Sequence, residues 1–489
     1  MQREFYLYVE KCICCLFFRT FLLNTKLMKR KIMSRLLEWK EKPNRKPLVL
    51  NGARQVGKTY VLREFGAQNY DNVVYLNLEI NASARHVFDG NLDPNTVITG
   101  LETLTRQKIA PGSTLLILDE IQSSPRALTS LKAFNEDAPQ YHVVAAGSLL
   151  GVAIKHDQFS FPVGMVDELR LYPIDFEEYL WAMGYQRLAD EIRTHFVACA
   201  PMGKALHETA LSFYKSYLVS GGMPASVKTL IRFSEKEAHD ETIDAQGYVT
   251  SITGLGEELK QVGMGSLMDT EMPRQLILNE YAIDMTKYAS HSVAVKIQAC
   301  FESITQQLAK ENKKFQYKVV QHGGSASIFG ESLDWLFRSG TVLRCQLIEQ
   351  GVLPVAAYVN LSDFKIYMSD VGLLVQQAQM PSGVLLSPYY EDNAFMGGIV
   401  ENYVAQSLVA NGHKLYYWKS GNTAEVDFVI QLADKVVPIE VKKGRHTKSR
   451  SLEQFVKKYA PEYSIRLSSK DFGFANGIKS IPLYAAFCI

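Results

Sequence analysis

The chain has 489 residues, of which 47% are hydrophobic and 21% charged. This is room for about three domains of an ordinary folded, soluble kind, and it excludes a chain that is disordered throughout. The formal charge of +2 excludes a uniformly basic or acidic surface, so any nucleic-acid site has to be a local patch.

The chain opens oddly. Cys12-Ile13-Cys14-Cys15-Leu16-Phe17-Phe18 is interrupted by Arg19 before Phe21-Leu22-Leu23. The apolar run is far shorter than the roughly 20 residues of a membrane span, so no membrane partner is expected. Glu4 and Glu10 stand where a secretory leader is basic, and no small-x-small cleavage site follows. Residues 1–33 are therefore expected to be a non-native extension from a mis-assigned start codon. Met28 or Met33 then opens the protein, with 33–40 as an amphipathic helix. Seven cysteines are present, and Cys199, Cys300, Cys345 and Cys488 have no C-x-x-C partner. Reduced cytoplasmic thiols are expected, with no disulfide framework and no zinc site.

Next, Pro47 to Leu50 reads as a short strand running into Gly52-Ala53-Arg54-Gln55-Val56-Gly57-Lys58-Thr59. The spacing fits G-x-x-x-x-G-K-[ST] at every fixed position, with a strand before and a helical pattern after. Gly52 and Gly57 allow the backbone to curl so that successive N–H groups face phosphate oxygens. Lys58 reaches the β- and γ-phosphates as a point charge, and Thr59 offers a hydroxyl to Mg²⁺. The helix from Lys58 sets its positive end under the phosphates. ATP and Mg²⁺ are the expected cofactors.

Residues 72–79 read as a second strand and 113–120 as a buried one ending in Asp119-Glu120. Four apolar residues before Asp-Glu make a Walker B pattern. Asp119 is expected to hold Mg²⁺ through water, and Glu120 to activate the attacking water. The strand 141–146 delivers Ser148 between the two motifs as a sensor candidate, and 167–172 gives one more strand. Strands alternating with helices predict an α/β parallel sheet of the P-loop NTPase type over 34–180.

Farther along, 181–232 reads as a helical lid with a turn at Gly221-Gly222-Met223-Pro224, and 233–272 as an insertion. Residues 273–380 read as helices followed by a hairpin, 341–348 and 354–359, in the manner of a winged helix. The recognition-helix position carries Glu331 and Asp334 against Arg338, a poor surface for phosphates.

From 381 to 489 a second chemistry is written. Glu401 opens a helix, Asp427 lies on a strand, and Glu440 and Lys442 lie two apart on the next, hence on one face. This set is similar to a PD-(D/E)-x-K nuclease core: Asp427, Glu440 and Glu401 for Mg²⁺, Lys442 for the water. Nine basic residues follow between 441 and 470: Lys442, Lys443, Arg445, Lys448, Arg450, Lys457, Lys458, Arg466 and Lys470. Only Glu453 and Glu462 oppose them, which makes this segment the candidate track for DNA or RNA.

GARQVGKT, LLILDEIQ, AAGS and LYPIDFEEYL, then YLVSGGMP, FKIYMSDVGLL, IVENYVAQ, EVDF and PIEVKKG, resemble in order the prokaryotic AAA-type ATP-binding proteins that carry a C-terminal domain of unknown function. The resemblance spans roughly 34–489 and implies an AAA-type ATPase. Two departures stand out. Where the family often has Gly-Arg or Gly-Lys, this chain has Gly164-Met165, leaving Arg170 and Arg126 as arginine-finger substitutes. The segment 233–272 has no family counterpart. Three readings follow: an ATP-driven switch whose C-terminal domain engages nucleic acid, an ATP-gated metal-dependent nuclease, and an ATP-controlled platform for a protein partner or homo-oligomer.

Overall fold

The structure is a computed structural model that describes residues 28–148, 162–231, 267–287, 289–387, 393–421, 424–444 and 450–489. The anticipated insertion thus lies almost wholly outside the described residues, as do residues 1–27, Arg445 and Lys448.

Five strands build the first sheet: β1 (Leu48–Asn51), β2 (Asn72–Asn77), β3 (Thr114–Asp119), β4 (His142–Gly147) and β5 (Asp167–Arg170). Their order is β2-β3-β4-β1-β5, and every pairing is parallel. β3 and β4 are buried along their whole lengths, because helices cover both faces. Leu116 and Leu118 of β3 face one core, beneath the helices Pro94–Thr105 and Pro125–Asp137. Leu115 and Ile117 face the other, which continues into the rest of the molecule. This arrangement is the α/β P-loop sheet expected from the sequence. Its carboxyl edge gathers Asn51, Asp119 and Gly147, the last residues of β1, β3 and β4, at one place.

Residues 28–33, which follow the earlier of the two expected starts, Met28, pack on this fold. Arg30 is buried and donates to Glu178, to the Val56 carbonyl at 3.0 Å and to the Tyr172 carbonyl at 2.7 Å. Ile32 is buried at the start of the helix Ile32–Glu41.

The helices Phe176–Ala182, Gln186–Ala198 and Lys204–Ser220 do not form a free lid. They are clamped to the C-terminal end of the chain. His207 bonds the Tyr484 hydroxyl at 2.9 Å and the Ser469 carbonyl at 3.1 Å, and Asp471 accepts from Met202 N at 3.1 Å. Tyr214 and Tyr217 pack on Tyr403, with ring centroids 4.9 and 5.8 Å apart.

The winged-helix expectation fails on its wing. Residues Val355–Tyr358 form a 3₁₀ turn, and the second strand is β7 (Val359–Met368). It pairs with β6 (Val342–Ile348), but β6 also pairs in parallel with β8 (Tyr416–Ser420). The hairpin is therefore one edge of an eight-stranded mixed sheet with the C-terminal segment, ordered β12-β13-β11-β10-β9-β8-β6-β7. Here β9 is Ala424–Leu432, β10 is Lys435–Val441, β11 is Ser464–Ser468, β12 is Gly473–Ala475 and β13 is Ile478–Pro482. A strand pattern predicts which face is buried, but not which distant strand will take the free edge. Among the described residues no helix is long and apolar enough to cross a membrane, and Cys199, Cys300, Cys345 and Cys488 are free thiols.

Candidate nucleotide site

Between β1 and the helix Lys58–Asn69, the loop Gly52 to Gly57 curls tightly. A Cβ on Gly52 would lie 2.4 Å from the Leu171 carbonyl oxygen, and Gly57 has φ +95°. Both positions demand glycine. Gln55 also has positive φ, +65°, unusual for a residue with a Cβ. Arg30 supports the loop from below through the Val56 carbonyl.

Lys58 is buried, and its ammonium is folded onto the Gly52 and Ala53 carbonyls, 2.9 Å from each. Burial pushes its pKa down to about 8, against the pull of Glu120 and Asp119. The loop thus holds a poorly compensated cation that a phosphate would complete.

The sheet brings the second motif beneath this loop. The Thr59 hydroxyl donates to Asp119 at 2.6 Å, and the Tyr75 hydroxyl donates to the same carboxylate oxygen at 2.9 Å. Burial, with Asp119 beside it, pushes the Tyr75 phenol up to about 12. A hydroxyl and a carboxylate in direct contact at the foot of a phosphate loop are hard oxygen donors of the kind Mg²⁺ takes. These residues fit the ion. Glu120 follows with φ +51° and is fixed by Gln122 at 2.6 Å. The Ser148 hydroxyl lies 3.3 and 3.4 Å from its two oxygens. Thus Lys58, Thr59, Asp119, Glu120 and Ser148 are gathered as the sequence suggested.

The two arginine-finger substitutes stand in different surroundings. Arg126 donates to the Phe88 and Gly90 carbonyls at 2.7 and 2.6 Å and is a structural brace. Arg170 lines a cavity of about 250 Å³ with Asn51, Gly52, Ser148 and Arg338.

The helical pattern of the sequence does not place the helix Glu271–Lys287 where it lies, over the P-loop. Arg54 pairs with Asp284 at 2.5 Å and with Glu280 at 3.3 Å, Gln55 donates to Glu280, and the Tyr281 hydroxyl donates to the Arg54 carbonyl at 3.3 Å. Burial raises the Asp284 pKa, Arg54 opposes that shift, and the charge of Glu120 adds to it. No local motif marks these acids, because they stand some 230 residues from their partners.

Residues 44–180 match the family model described as AAA domain. This segment is an AAA domain. Residues 268–383 and 396–486 match two families described as domains of unknown function. No curated protein matches the chain. Among solved structures, a Walker-type ATPase of Pyrococcus abyssi aligns at TM-score 0.40 and 12% identity over 73% of this chain and 97% of its own. The Thermotoga maritima RuvB Holliday junction branch migration motor aligns at TM-score 0.30 and 13% identity, over 66% and 89%. The Aeropyrum pernix ORC1 protein, in complex with DNA, aligns at TM-score 0.28 and 13% identity, over 73% and 93%. Overlaps this loose carry no activity across. The AAA domain is assigned on its family model, its parallel sheet and its P-loop.

The second cluster departs from its expectation. Glu401, Asp427, Glu440 and Lys442 do come together, on the helix Ala394–Ala410, β9, β10 and the residue after it. However, Lys313 pairs with Glu401, Lys365 sits 2.6 Å from Glu425 and 3.9 Å from Glu401, and Lys442 sits 2.6 Å from Glu440. Lys365 is wholly buried on β7. Burial opposes ionisation of Glu401, yet Lys313 and Lys365 hold it below the usual carboxylate range. Burial, then the charges of Glu440 and Glu401, push Asp427 well above that range. Beside Asp427, the carboxylates of Glu401, Glu425 and Glu440 meet three ammonium groups. One Glu440 oxygen lacks a hydrogen-bond partner among the described residues. Even so, among those residues no group of three His, Cys, Asp or Glu side chains could hold a metal. The expected Mg²⁺ set does not fit, because lysines already provide the positive charge.

Proposed function

We propose that this chain is a nucleotide-driven switch that binds Mg²⁺-ATP and hydrolyses it. The observation that carries the reading is the 2.6 Å contact from Thr59 to Asp119 beneath a curled P-loop, with Glu120 and Ser148 alongside. Mg²⁺ held there would offset charge on the β- and γ-phosphates. Lys58 leaves its carbonyl partners for the phosphates. Glu120 accepts the proton of the attacking water, and Ser148 orients Glu120 and the water between them. The absence of Arg or Lys beside Gly164 predicts slow turnover, since an arginine finger accelerates such reactions by about 10³–10⁵.

The test is Mg²⁺-dependent phosphate release by the full chain, with Lys58→Ala and Glu120→Gln beside it. Lys58→Ala should lose ATP binding by at least about 100-fold. Glu120→Gln should keep binding and lose hydrolysis. ATP binding that survives Lys58→Ala unchanged would sink the reading.

A second reading adds DNA or RNA, favoured by Arg450, Lys457 and Lys458, which are exposed together on the helix Arg450–Tyr459. A phosphate-tracking surface should lose affinity steeply with added salt, and nucleic acid should stimulate ATP turnover. Turnover indifferent to nucleic acid would instead favour a protein partner or a homo-oligomer. Nucleic-acid cleavage is not proposed, because the carboxylates it needs are already neutralised by lysines.

A further inference from the structure

The helix Glu271–Lys287 holds the P-loop through its last two turns and the rest of the molecule through its first. At one end, Asp284, whose side chain is 4% exposed, and Glu280 grip Arg54, while Glu280 also takes the amide of Gln55. Gln55 is the P-loop residue held in left-handed backbone. A non-glycine residue in that conformation persists when its surroundings fix it. Lys287 pairs with Glu79, just beyond β2. At the other end, buried Arg274 donates to the carbonyls of Thr270, Val219 and Gly372. Gly372 packs on Gly221, and Asp370 accepts from Gly222 N at 2.6 Å and Leu373 N at 3.0 Å.

We propose that Glu280 and Asp284 are positioning residues of the phosphate site: they hold Arg54 and Gln55 against this helix, and a bound nucleoside triphosphate competes with them and displaces them. The proposal rests on the nucleotide reading of the P-loop. The physical reason is competition for one set of positive groups. The charge of Asp284 acts on Lys58 as well as Arg54. A triphosphate brings several negative charges to the same place, and like charges at close range repel. Carboxylates and phosphates cannot both be served. Displacement at Glu280 and Asp284 tilts a helix whose other end is bolted to the Gly221-Gly222 turn and to Asp370. The nucleotide state is thereby passed to the eight-stranded sheet. The latched state also lowers apparent affinity, since only the unlatched fraction binds.

The pair Lys287–Glu79 gives a test that simple charge effects cannot imitate. It is solvent-exposed at 47% and 33%, so its loss leaves the fold intact. Lys287→Glu weakens the latch but adds negative charge near the phosphates. Titration of the full chain with a fluorescent ATP analogue and Mg²⁺ should show about two- to fivefold tighter binding for Lys287→Glu, on the scale of one exposed ion pair. Glu79→Lys should also tighten binding, and the exchanged pair Glu79→Lys with Lys287→Glu should return it to the wild-type value. Hydrogen exchange within Glu271–Lys287 should quicken when ATP is added to the wild-type chain. Unchanged or weaker binding by Lys287→Glu, with wild-type binding intact, overturns the latch alone. No binding by the wild-type chain overturns the nucleotide reading and the latch together.

Discussion

Two acidic centres in this molecule are built from the same side chains and end in opposite states. At the P-loop, Asp119 meets, among the described residues, hydroxyls from Thr59 and Tyr75 and the following backbone N–H, and Lys58 leans on carbonyl oxygens. Among the described residues no ion pair closes on Lys58, Asp119 or Glu120, which leaves them open to a charged ligand. In the C-terminal sheet, Glu401, Glu425 and Glu440 each have a lysine, and Asp427 is held towards its protonated form. Charge there is closed within the protein. The kinds of residue and their spacing therefore do not decide function. What decides it is whether a counter-charge is already supplied from elsewhere in the fold.

Removing a counter-charge is the strongest way to break this contrast. Lys365→Met should cost about 3–5 kcal/mol in denaturant unfolding, because Glu401 and Glu425 lose a buried cation. If millimolar Mg²⁺ fully restored that stability, the cluster would be a metal centre after all.

How far each centre could be read from the sequence follows the same division. The P-loop site is nearly contiguous: Gly52 to Thr59, then Asp119-Glu120 and Ser148, each at the end of a hydrophobic strand whose direction the pattern fixes. The C-terminal carboxylates were also visible. Their partners Lys313 and Lys365 were not, since Lys365 reaches the cluster only because β6 pairs with β8 and carries β7 alongside. Glu280 and Asp284 were invisible for the same reason, as ordinary acids on a helix with no motif. Arg30 was lost by discounting the segment that holds it. The sheet of the AAA domain was legible because parallel strands alternate with helices. The hairpin was misread because its free edge is filled from 70 residues away.

Gly222 lies where the two halves meet, between the Ile174 carbonyl and Asp370. A Cβ there would stand 1.9 Å from the Ile174 oxygen. Gly222→Ala should destabilise the chain by about 1–3 kcal/mol and blunt any effect of nucleotide on the C-terminal sheet. An unaltered melting temperature would show that the two halves are less tightly joined than described.

The smallest effect concerns the Lys58 charge itself. The folded chain holds the Lys58 ammonium at about 8, below its ordinary 10.5. The unfolded chain therefore binds more protons between these values, so stability of the nucleotide-free protein rises with pH in that window. The gain should be about 1 kcal/mol between pH 8 and 9. It should vanish in Lys58→Met, and its persistence there would assign the rise to another group.

The most direct measurement is Mg²⁺-dependent phosphate release from ATP by the full-length wild-type chain, Glu120→Gln and Glu440→Gln side by side. Glu120→Gln should lose about 10²–10⁴ of the rate while still binding ATP, and Glu440→Gln should turn over as the wild type does. Full activity in Glu120→Gln, or loss of ATP turnover in Glu440→Gln, would contradict the assignment of the open centre as the working one.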